Sequence, residues 1–303
     1  MNKGRYFLFM LLLIAANHTS LSQDKRKVII DADTGNEVDD AYAITRLLID
    51  PGVEVIALNA TQWQASHWAV DQSMEESYRL NKMILGYTRD GHQIKALRGG
   101  VNRMFDWGDK AQHSAATYNI IQEADRLNGQ EKLDIIVLGA LTNVASAVLI
   151  EPGIAAKLRI YWLGTTYDFE QGVLKKTDFN CVMDIQALDV MLHSAVEMHI
   201  MPHSTAVPLR FHFEEISERL GDDPLSQFLI DRWKYHKDGA RLRRTLWDIA
   251  IVAAYLRPEW TEQVTIKTSK ENGGRVIGFY KSINAEAIKE DFFKAYHNYM
   301  DGE

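Results

Sequence analysis

Short β-branched runs alternate with longer stretches of helical spacing along most of this chain. Val28-Ile29-Ile30 predicts a buried strand, and residues 41–49 carry apolar side chains at the spacing of one helix face. Asp50-Pro51-Gly52 is expected to end that helix, and residues 53–60 predict a second strand. A strand–helix–strand unit of this kind implies two parallel strands joined by a right-handed crossover.

The same alternation continues toward the C-terminus. Further strands are predicted at residues 94–97, 133–138, 158–163 and 197–201, and further helices at residues 69–85, 114–127, 142–149, 187–194 and 285–300. Residues 213–258 read as helical, and residues 264–280 predict a hairpin that turns at Asn272-Gly273-Gly274. This pattern predicts an α/β fold, an open, mostly parallel (mixed) β-sheet flanked by helices in a Rossmann-like arrangement, as a single domain over residues 23–303.

The first 22 residues have a different character. Lys3 and Arg5 precede an apolar run of 11 residues, from Tyr6 to Ala16, which is too short to span a bilayer as a helix. The run has the length of the hydrophobic region of a secretory signal, and Ser20-Leu21-Ser22 suits cleavage before Gln23. Residues 1–22 therefore predict a signal peptide and a periplasmic or secreted protein with no stable membrane anchor after cleavage. A buried N-terminal helix is the alternative.

Composition and charge narrow the function classes. The chain has 303 residues, 46% of them hydrophobic and 25% charged, which is a globular composition. Its formal net charge is −7 and its basic residues are scattered along the sequence, so nucleic acid is not an expected partner. The single cysteine, Cys181, excludes an intramolecular disulfide and zinc sites that need two or more cysteines.

Five acidic residues fall within the ten residues from Asp31 to Asp40, between the first strand and the first helix. Ligands of open α/β sheets bind at the carboxyl ends of strands, which is where this segment lies. Clustered carboxylates repel one another unless a cation compensates them, and hard oxygen ligands suit Ca²⁺ or Mg²⁺. An EF-hand is excluded because Tyr42 stands where that loop needs a glutamate. A solvated acidic turn is the alternative.

The segment from Val28 to Ile44 closely resembles the N-terminal motif of the inosine–uridine-preferring nucleoside hydrolase family. The short form of that motif is Asp-x-Asp-x-Gly-x-Asp-Asp, and this chain has two extra residues between Gly35 and Asp39. Three later segments resemble further family motifs in the same order: residues 137–143, 177–180 and 247–250. The resemblance implies the family's fold and hydrolysis of the N-glycosidic bond of a small-molecule ribonucleoside.

Residue roles follow from this resemblance. It implies one Ca²⁺ ion held by Asp33, Asp40, the backbone carbonyl of Thr142 and Asp248, with Asp33 also acting as the general base on a water molecule. It implies that Asp39, Asp178 and Asn180 hydrogen-bond the ribose hydroxyls. An oxocarbenium-like transition state suits a floor of carboxylates, because positive charge develops at the sugar.

The residues that would surround the base depart from the family pattern. Trp247 stands where many members have a histidine that protonates the leaving base, and an indole cannot do so. It either stacks on the base or packs. Asp178 replaces a longer glutamate, and Gln64, or its neighbour Gln62, takes the place of a substrate-binding asparagine.

Histidines and tryptophans elsewhere in the chain could complete the base side of the pocket. His67 and His113 are the candidates for a proton donor, and Trp63, Trp68 and Trp107 are the candidates for aromatic walls. The prediction is an exported, calcium-dependent ribonucleoside hydrolase. A hydrolase of another ribosyl or sugar compound on the same scaffold and a non-catalytic nucleoside-binding protein are the alternatives. Base preference stays open, as does assembly into a homo-oligomer.

Overall fold

A computed structural model describes residues 25–104 and 110–302. The predicted signal peptide (residues 1–22) and Trp107 lie outside the described residues. The strands are β1 Arg26–Ala32, β2 Val53–Ala60, β3 Lys95–Arg98, β4 Leu133–Val137, β5 Leu158–Leu163, β6 Thr166–Asp168, β7 Val173–Lys175, β8 Glu197–Met201, β9 Arg210–His212, β10 Arg243–Thr245, β11 Thr261–Lys267 and β12 Val276–Ile283. The helices are α1 Asp39–Leu48, α2 Ser73–Tyr87, α3 Ala115–Asp125, α4 Thr142–Ile150, α5 Phe179–Met183, α6 Ile185–His193, α7 His203–Ala206, α8 Phe213–Arg219, α9 Pro224–Lys234, α10 Trp247–Leu256 and α11 Ala285–Asp301.

Eight strands form the central sheet in the order β11-β12-β8-β5-β4-β1-β2-β3. Among the described residues, β11 and β12 are the antiparallel neighbours of this sheet, and every other neighbouring pair is parallel. The predicted open, mostly parallel (mixed) sheet flanked by helices is therefore confirmed. No helix in the described part of the chain is both long enough and apolar enough to cross a membrane.

Helices cover both faces of the sheet because side chains of its strands alternate between them. In β1, Val28 and Ile30 belong to the apolar core that contains α1, α10 and α11, whereas Ile29 belongs to the core that contains α3, α4 and α6. These residues are fully buried, so β1 is covered on both sides, as expected for a strand inside a parallel sheet.

The helical prediction for residues 213–258 is wrong in part. Helices α8, α9 and α10 lie there, but the helical path ends after Lys234 and β10 pairs with β9 in a separate two-stranded sheet. Gly239, with a φ of 91°, lies in the turn between α9 and β10, in a conformation that favours glycine. We call the antiparallel pair of β9 and β10 the ribbon.

The order in which strands are added to the sheet changes direction between β1 and β4. From β1 it runs outward through β2 to β3, and it then returns to pair β4 with the other side of β1. Such a switch point leaves a crevice at the carboxyl ends of the two strands, which is where open α/β sheets bind ligands. The acidic segment follows β1 directly, so it lies in this crevice.

Candidate active site

An acidic cavity of about 240 Å³ lies at the carboxyl ends of the central strands. Asp33 lines it from the segment between β1 and α1, Asp39 and Asp40 line it from the first turn of α1, and Asp248 lines it from the first turn of α10. The cavity is also lined by Asn36, Glu37, Leu138, Leu163, Thr177, Asp178, Phe179, Asn180, His203 and Trp247. The fold thus joins segments separated by more than two hundred positions in the chain.

Three carboxylates converge closely enough to share one cation. Asp39, Asp40 and Asp248 each offer an oxygen, and these oxygens lie within 4.8 Å of one another. Within residues 25–104 and 110–302, the buried Oδ2 of Asp33 and Oδ1 of Asp40 have no hydrogen-bond partner. Buried polar atoms without partners are costly, and hard oxygen ligands of this kind suit a divalent cation. The residues present therefore fit a metal ion.

Two helices begin at this cluster. Asp39 and Asp40 lie in the first turn of α1, and Asp248 lies in the first turn of α10. The backbone N–H of Asp248 donates a hydrogen bond to Oδ2 of Asp39 at 3.3 Å. Because the N-terminus of a helix carries partial positive charge, both helices favour carboxylates at these positions.

Without a cation, the carboxylates strongly disfavour full ionisation. Burial, followed by the charge of neighbouring carboxylates, raises the pKa of Asp33, Asp40 and Asp248 well above the ordinary carboxyl value. Burial also raises the pKa of Asp39 to about 6. The protein thus holds a set of acids whose charge requires compensation at neutral pH.

Arg232 of α9 holds the backbone of the acidic segment, residues 31–40, through hydrogen bonds to its carbonyl oxygens. One of its terminal nitrogens donates to the carbonyl oxygens of Thr34, Gly35 and Glu37 at 2.9, 3.0 and 2.9 Å. His236 donates through Nε2 to the carbonyl oxygen of Asn36 at 2.8 Å. Four consecutive carbonyls are therefore held by two side chains from another part of the chain. Sequence reasoning missed both, since neither stands in a motif.

Gly35 allows the segment to approach the indole of Trp63. A Cβ atom at Gly35 would lie 2.9 Å from Nε1 of Trp63, which is fully buried. Trp68 donates through Nε1 to Oδ1 of Asn36 at 3.0 Å. Neither tryptophan lines the cavity, so both support the acidic segment instead of forming the expected aromatic walls.

Asn180 and Asp178 form the opposite side of the cavity. Asn180 donates through Nδ2 to the carbonyl oxygens of Leu138 and Leu163, at 2.6 and 2.9 Å, so its Oδ1 is left as an acceptor. Asp178 caps α5 and accepts a hydrogen bond from the backbone N–H of Thr165 at 3.1 Å. Burial raises the pKa of Asp178.

Three predicted site residues do not line the cavity. Gln62 is buried and donates through Nε2 to the Thr142 hydroxyl, at 3.2 Å, and to the Met183 carbonyl. Thr142 begins α4, and its hydroxyl donates to Oδ2 of Asp184 at 2.7 Å. Gln64 donates to Oδ1 of Asn102 at 2.8 Å. The roles expected of these residues stay predictions.

The structure brings a different histidine to the cavity from the two expected ones. His203 begins α7, immediately after β8, and its ring centroid lies 5.9 Å from that of Trp247. His67 and His113 are exposed and do not line the cavity. His203 could have been found from sequence by its position after a predicted strand, because all parallel strands end at the same edge of the sheet.

A crevice at the carboxyl edge of a parallel sheet, lined by clustered carboxylates, defines an α/β protein with a site for a small polar ligand and a cation. Comparison with known proteins then gives the family. The chain belongs to the inosine-uridine preferring nucleoside hydrolase family, whose model matches residues 28–294. It is a hydrolase that acts on N-glycosyl bonds, and nucleoside hydrolases act on small-molecule nucleosides.

Two plant relatives are similar over most of the chain. A probable uridine nucleosidase 1 of Oryza sativa subsp. japonica is 24% identical over 238 residues, which are 70% of this chain and 69% of that protein. Uridine nucleosidase 1 of Arabidopsis thaliana is 25% identical over 235 residues, 70% of this chain and 67% of that protein.

A solved structure has the same fold. It is the purine-preferring ribonucleoside hydrolase from Gardnerella vaginalis, with a TM-score of 0.69 and 18% identity, and the match covers 92% of this chain and 100% of that chain.

The raised carboxyl pKa values predict how stability depends on pH and metal. Folded-state pKa values above the unfolded ones give stability that is present at low pH and lost as pH rises through the folded values. The metal-free protein should therefore lose stability at these groups as the pH rises above the ordinary carboxyl value of about 4, through the pKa of about 6 at Asp39 and beyond it at the other three, whereas a bound cation compensates the ionised acids. We expect the gain in Tm from Ca²⁺ over EGTA to be larger at pH 8 than at pH 5.

Differential scanning calorimetry at both pH values measures this gain. Ca²⁺ at 100 times its Kd should contribute about 2.7 kcal/mol at pH 8. Asp248→Asn should remove most of the gain, and it should make the metal-free protein less sensitive to pH because one like charge is gone. A Tm that is equal with Ca²⁺ and EGTA at pH 8 would contradict the compensation of this cluster by calcium.

Proposed function

We propose that this protein is an exported, calcium-dependent N-ribohydrolase that converts a ribonucleoside into its base and ribose. The observation that carries the proposal is the set of buried carboxylates with unpartnered oxygens, at Asp33 and Asp40, beside the converging Asp39 and Asp248. Family membership supports the reaction class. The identity of the metal is proposed from the all-oxygen ligand set, which Ca²⁺ prefers.

Asp33, Asp40 and Asp248 are the proposed carboxylate ligands. The oxygens that lie within 4.8 Å of one another belong to Asp39, Asp40 and Asp248, so the inclusion of Asp33 rests on the family resemblance and on its unpartnered Oδ2. A backbone carbonyl is also needed, and Leu138 is a stronger candidate than Thr142 because it follows β4 directly and lines the cavity. A calcium ion held there would lower the pKa of a water molecule and orient it.

Asp33 acts as the general base. Its buried carboxylate lines the cavity and has an Oδ2 atom free of hydrogen bonds to the described residues, so it can accept the proton of the attacking water. The electrostatic field of Asp33, Asp39 and Asp40 also stabilises positive charge at C1′ as the glycosidic bond lengthens. The carboxylates therefore serve the nucleophile and the sugar cation together.

Asp39, Asp178 and Asn180 bind the ribose. Asn180 offers Oδ1 as an acceptor because its Nδ2 is occupied by two backbone carbonyls. Asp39 and Asp178 face the same cavity as anionic acceptors, so the hydroxyls of ribose can donate to all three residues. A sugar without its 2′-hydroxyl loses some of these hydrogen bonds.

Trp247 and His203 form the side of the cavity that receives the leaving base. Trp247 offers an aromatic face, and His203, close to it, is an imidazole that can donate a proton to the departing nitrogen. His203 thereby supplies the acid that Trp247 cannot. Its ring Nδ1 lies 3.1 Å from the Thr166 hydroxyl, which orients the ring.

Asp33→Asn tests the assignment of the base. The amide keeps the size of the side chain but cannot accept a proton, so kcat for uridine or inosine should fall by about a hundredfold or more. Asp189→Asn, at a carboxylate that pairs with Lys176 and does not line the cavity, is the matched control and should keep its activity. Metal content by elemental analysis separates loss of the base from loss of the ion. Activity within about threefold of wild type would show that another group accepts the proton.

His203→Gln and Trp247→Ala test the leaving-group side. We expect His203→Gln to lower kcat for inosine by about a hundredfold, and to have little effect on p-nitrophenyl riboside, whose leaving group needs no proton. Trp247→Ala should raise KM for nucleosides without changing the shape of the pH profile, because it removes contact area only. Equal losses on both substrates for His203→Gln would exclude a role as the acid.

Export is proposed from the composition of residues 1–22. Expression of the full chain in a secreting bacterial host should yield a mature protein that begins at Gln23, outside the cytoplasm. Intact-mass measurement of the purified protein from each cell fraction checks this outcome. A cytoplasmic protein that retains Lys3 and Arg5 would contradict export.

A further inference from the structure

A basic pocket of about 370 Å³ lies directly beside the acidic cavity. We call it the arginine pocket. Glu37 and Trp247 line both spaces, so a ligand can extend from one into the other past the indole. The remaining residues that line the arginine pocket are Arg210, Arg241, Arg243, Arg244 and Thr245. Four arginines in one concavity stand out in a chain of net charge −7.

Two of the four arginines have a partner in the fold. Arg244 is buried and its guanidinium pairs with Asp238, with one N–O distance of 2.8 Å. Arg241 pairs with the same carboxylate at 2.8 Å. Arg244 also helps to compensate the acidic segment, because its charge lowers the pKa of Asp39. The positive charges of these two arginines are therefore compensated within the protein.

Arg210 and Arg243 differ from these two arginines because no neighbouring carboxylate in the described part of the chain pairs with them. Both are exposed, and neither has an ion-pair partner within residues 25–104 and 110–302. In the ribbon, Arg210 is paired with Thr245, and Arg243 lies two residues before Thr245. Side chains two residues apart share one face of a strand, so the two guanidinium groups stand diagonally on the same face. Like charges in such positions repel, and a bound anion would remove the repulsion.

The position of the arginine pocket indicates whether the anionic group belongs to the sugar or to the base of the nucleoside. An anionic group is repelled by the carboxylates of the acidic cavity, where the sugar is proposed to bind. The proposed base site lies against Trp247, which also lines the arginine pocket. A base that stacks on Trp247 therefore directs its outer substituents toward Arg210 and Arg243.

We propose, on the basis of the proposed function, that the arginine pocket binds an anionic substituent of the leaving base, so that the preferred substrates are ribosides of acidic bases such as carboxylated pyrimidines. The C1′–N bond breaks with its electron pair moving to the base nitrogen. Water adds to C1′ and gives its proton to Asp33, while the arginines stabilise the extra negative charge on the departing base. His203 gives one proton to the base nitrogen, and it regains that proton through solvent when Asp33 releases the proton taken from water. The products are ribose and the base, which keeps its carboxylate.

The test compares three substrates that share one base skeleton: uridine, 5-carboxyuridine and uridine 5′-monophosphate. Wild-type kcat/KM should be about tenfold or more higher for 5-carboxyuridine than for uridine, because the carboxylate gains charge-assisted hydrogen bonds that uridine cannot make. Arg243→Gln and Arg210→Gln should lower kcat/KM for 5-carboxyuridine at least tenfold more than for uridine. Arg126→Gln removes an exposed arginine that pairs with Glu123, and it should change neither value.

Other outcomes overturn the proposal. Equal losses on uridine and 5-carboxyuridine would show that the two arginines do not recognise the carboxylate. A selective loss on uridine 5′-monophosphate would place the anion on C5′ of the sugar and not on the base.

Absence of hydrolase activity can be distinguished from absence of anion binding in the arginine pocket. If no riboside is hydrolysed, calorimetric binding of 5-carboxyuridine and uridine decides the role of the pocket by itself. Binding of 5-carboxyuridine that Arg243→Gln weakens at least tenfold, with a smaller effect on uridine, supports the arginine pocket. Equal binding to the wild type and the variant overturns it.

Discussion

The electrostatic cost of burying several carboxylates in one short segment governs the rest of this structure. Negative charges at Asp33, Asp39 and Asp40 can be held side by side only if their backbone cannot relax away from the crevice. Arg232 and His236 prevent that relaxation by binding the carbonyls on the other side of the same segment. The carbonyl oxygens face α9 and its following turn, and the carboxylates line the cavity. Helices α1 and α10 then meet at the cavity by their positive ends.

Much of this arrangement was predictable from the sequence because local signals carry it. Strand β1, the acidic segment and α1 follow from a β-branched run, a cluster of acids and a helical apolar period, and the family motif placed Asp248 beside them. The ribbon could not be predicted in this way, since its two three-residue strands lie more than thirty residues apart in sequence and lack an apolar alternation. Gln62 and Gln64 follow β2, where the family pattern predicts a substrate-binding residue. The structure instead shows both of them bonded to residues outside the cavity lining.

The acidic cavity and the arginine pocket have different structural support. The acidic cavity is built on the central sheet and on helix ends that pack in the main core, so a change there disturbs the parallel strands as well as the site. The arginine pocket is lined by residues of the ribbon and by Trp247 in the first turn of α10. Three arginines of the arginine pocket, Arg241, Arg243 and Arg244, already lie within four consecutive residues of the sequence. Antiparallel pairing of the ribbon adds Arg210 to them, and this step was not visible in the sequence.

The ribbon forms a sheet of its own, and among the described residues it shares no strand pairing with the central eight strands. Exposed positions on it can therefore be exchanged during evolution without altering the register of β1, β4 or β5, on which the acidic floor depends. Divergence of this kind would change which leaving group a descendant accepts while the bond that it cleaves remains the same. In this chain, the acidic motif thus indicates the bond that is cleaved, whereas the proposed recognition of the base depends on the ribbon. Comparing ribbon sequences between paralogues would be the more informative basis for sorting them by substrate.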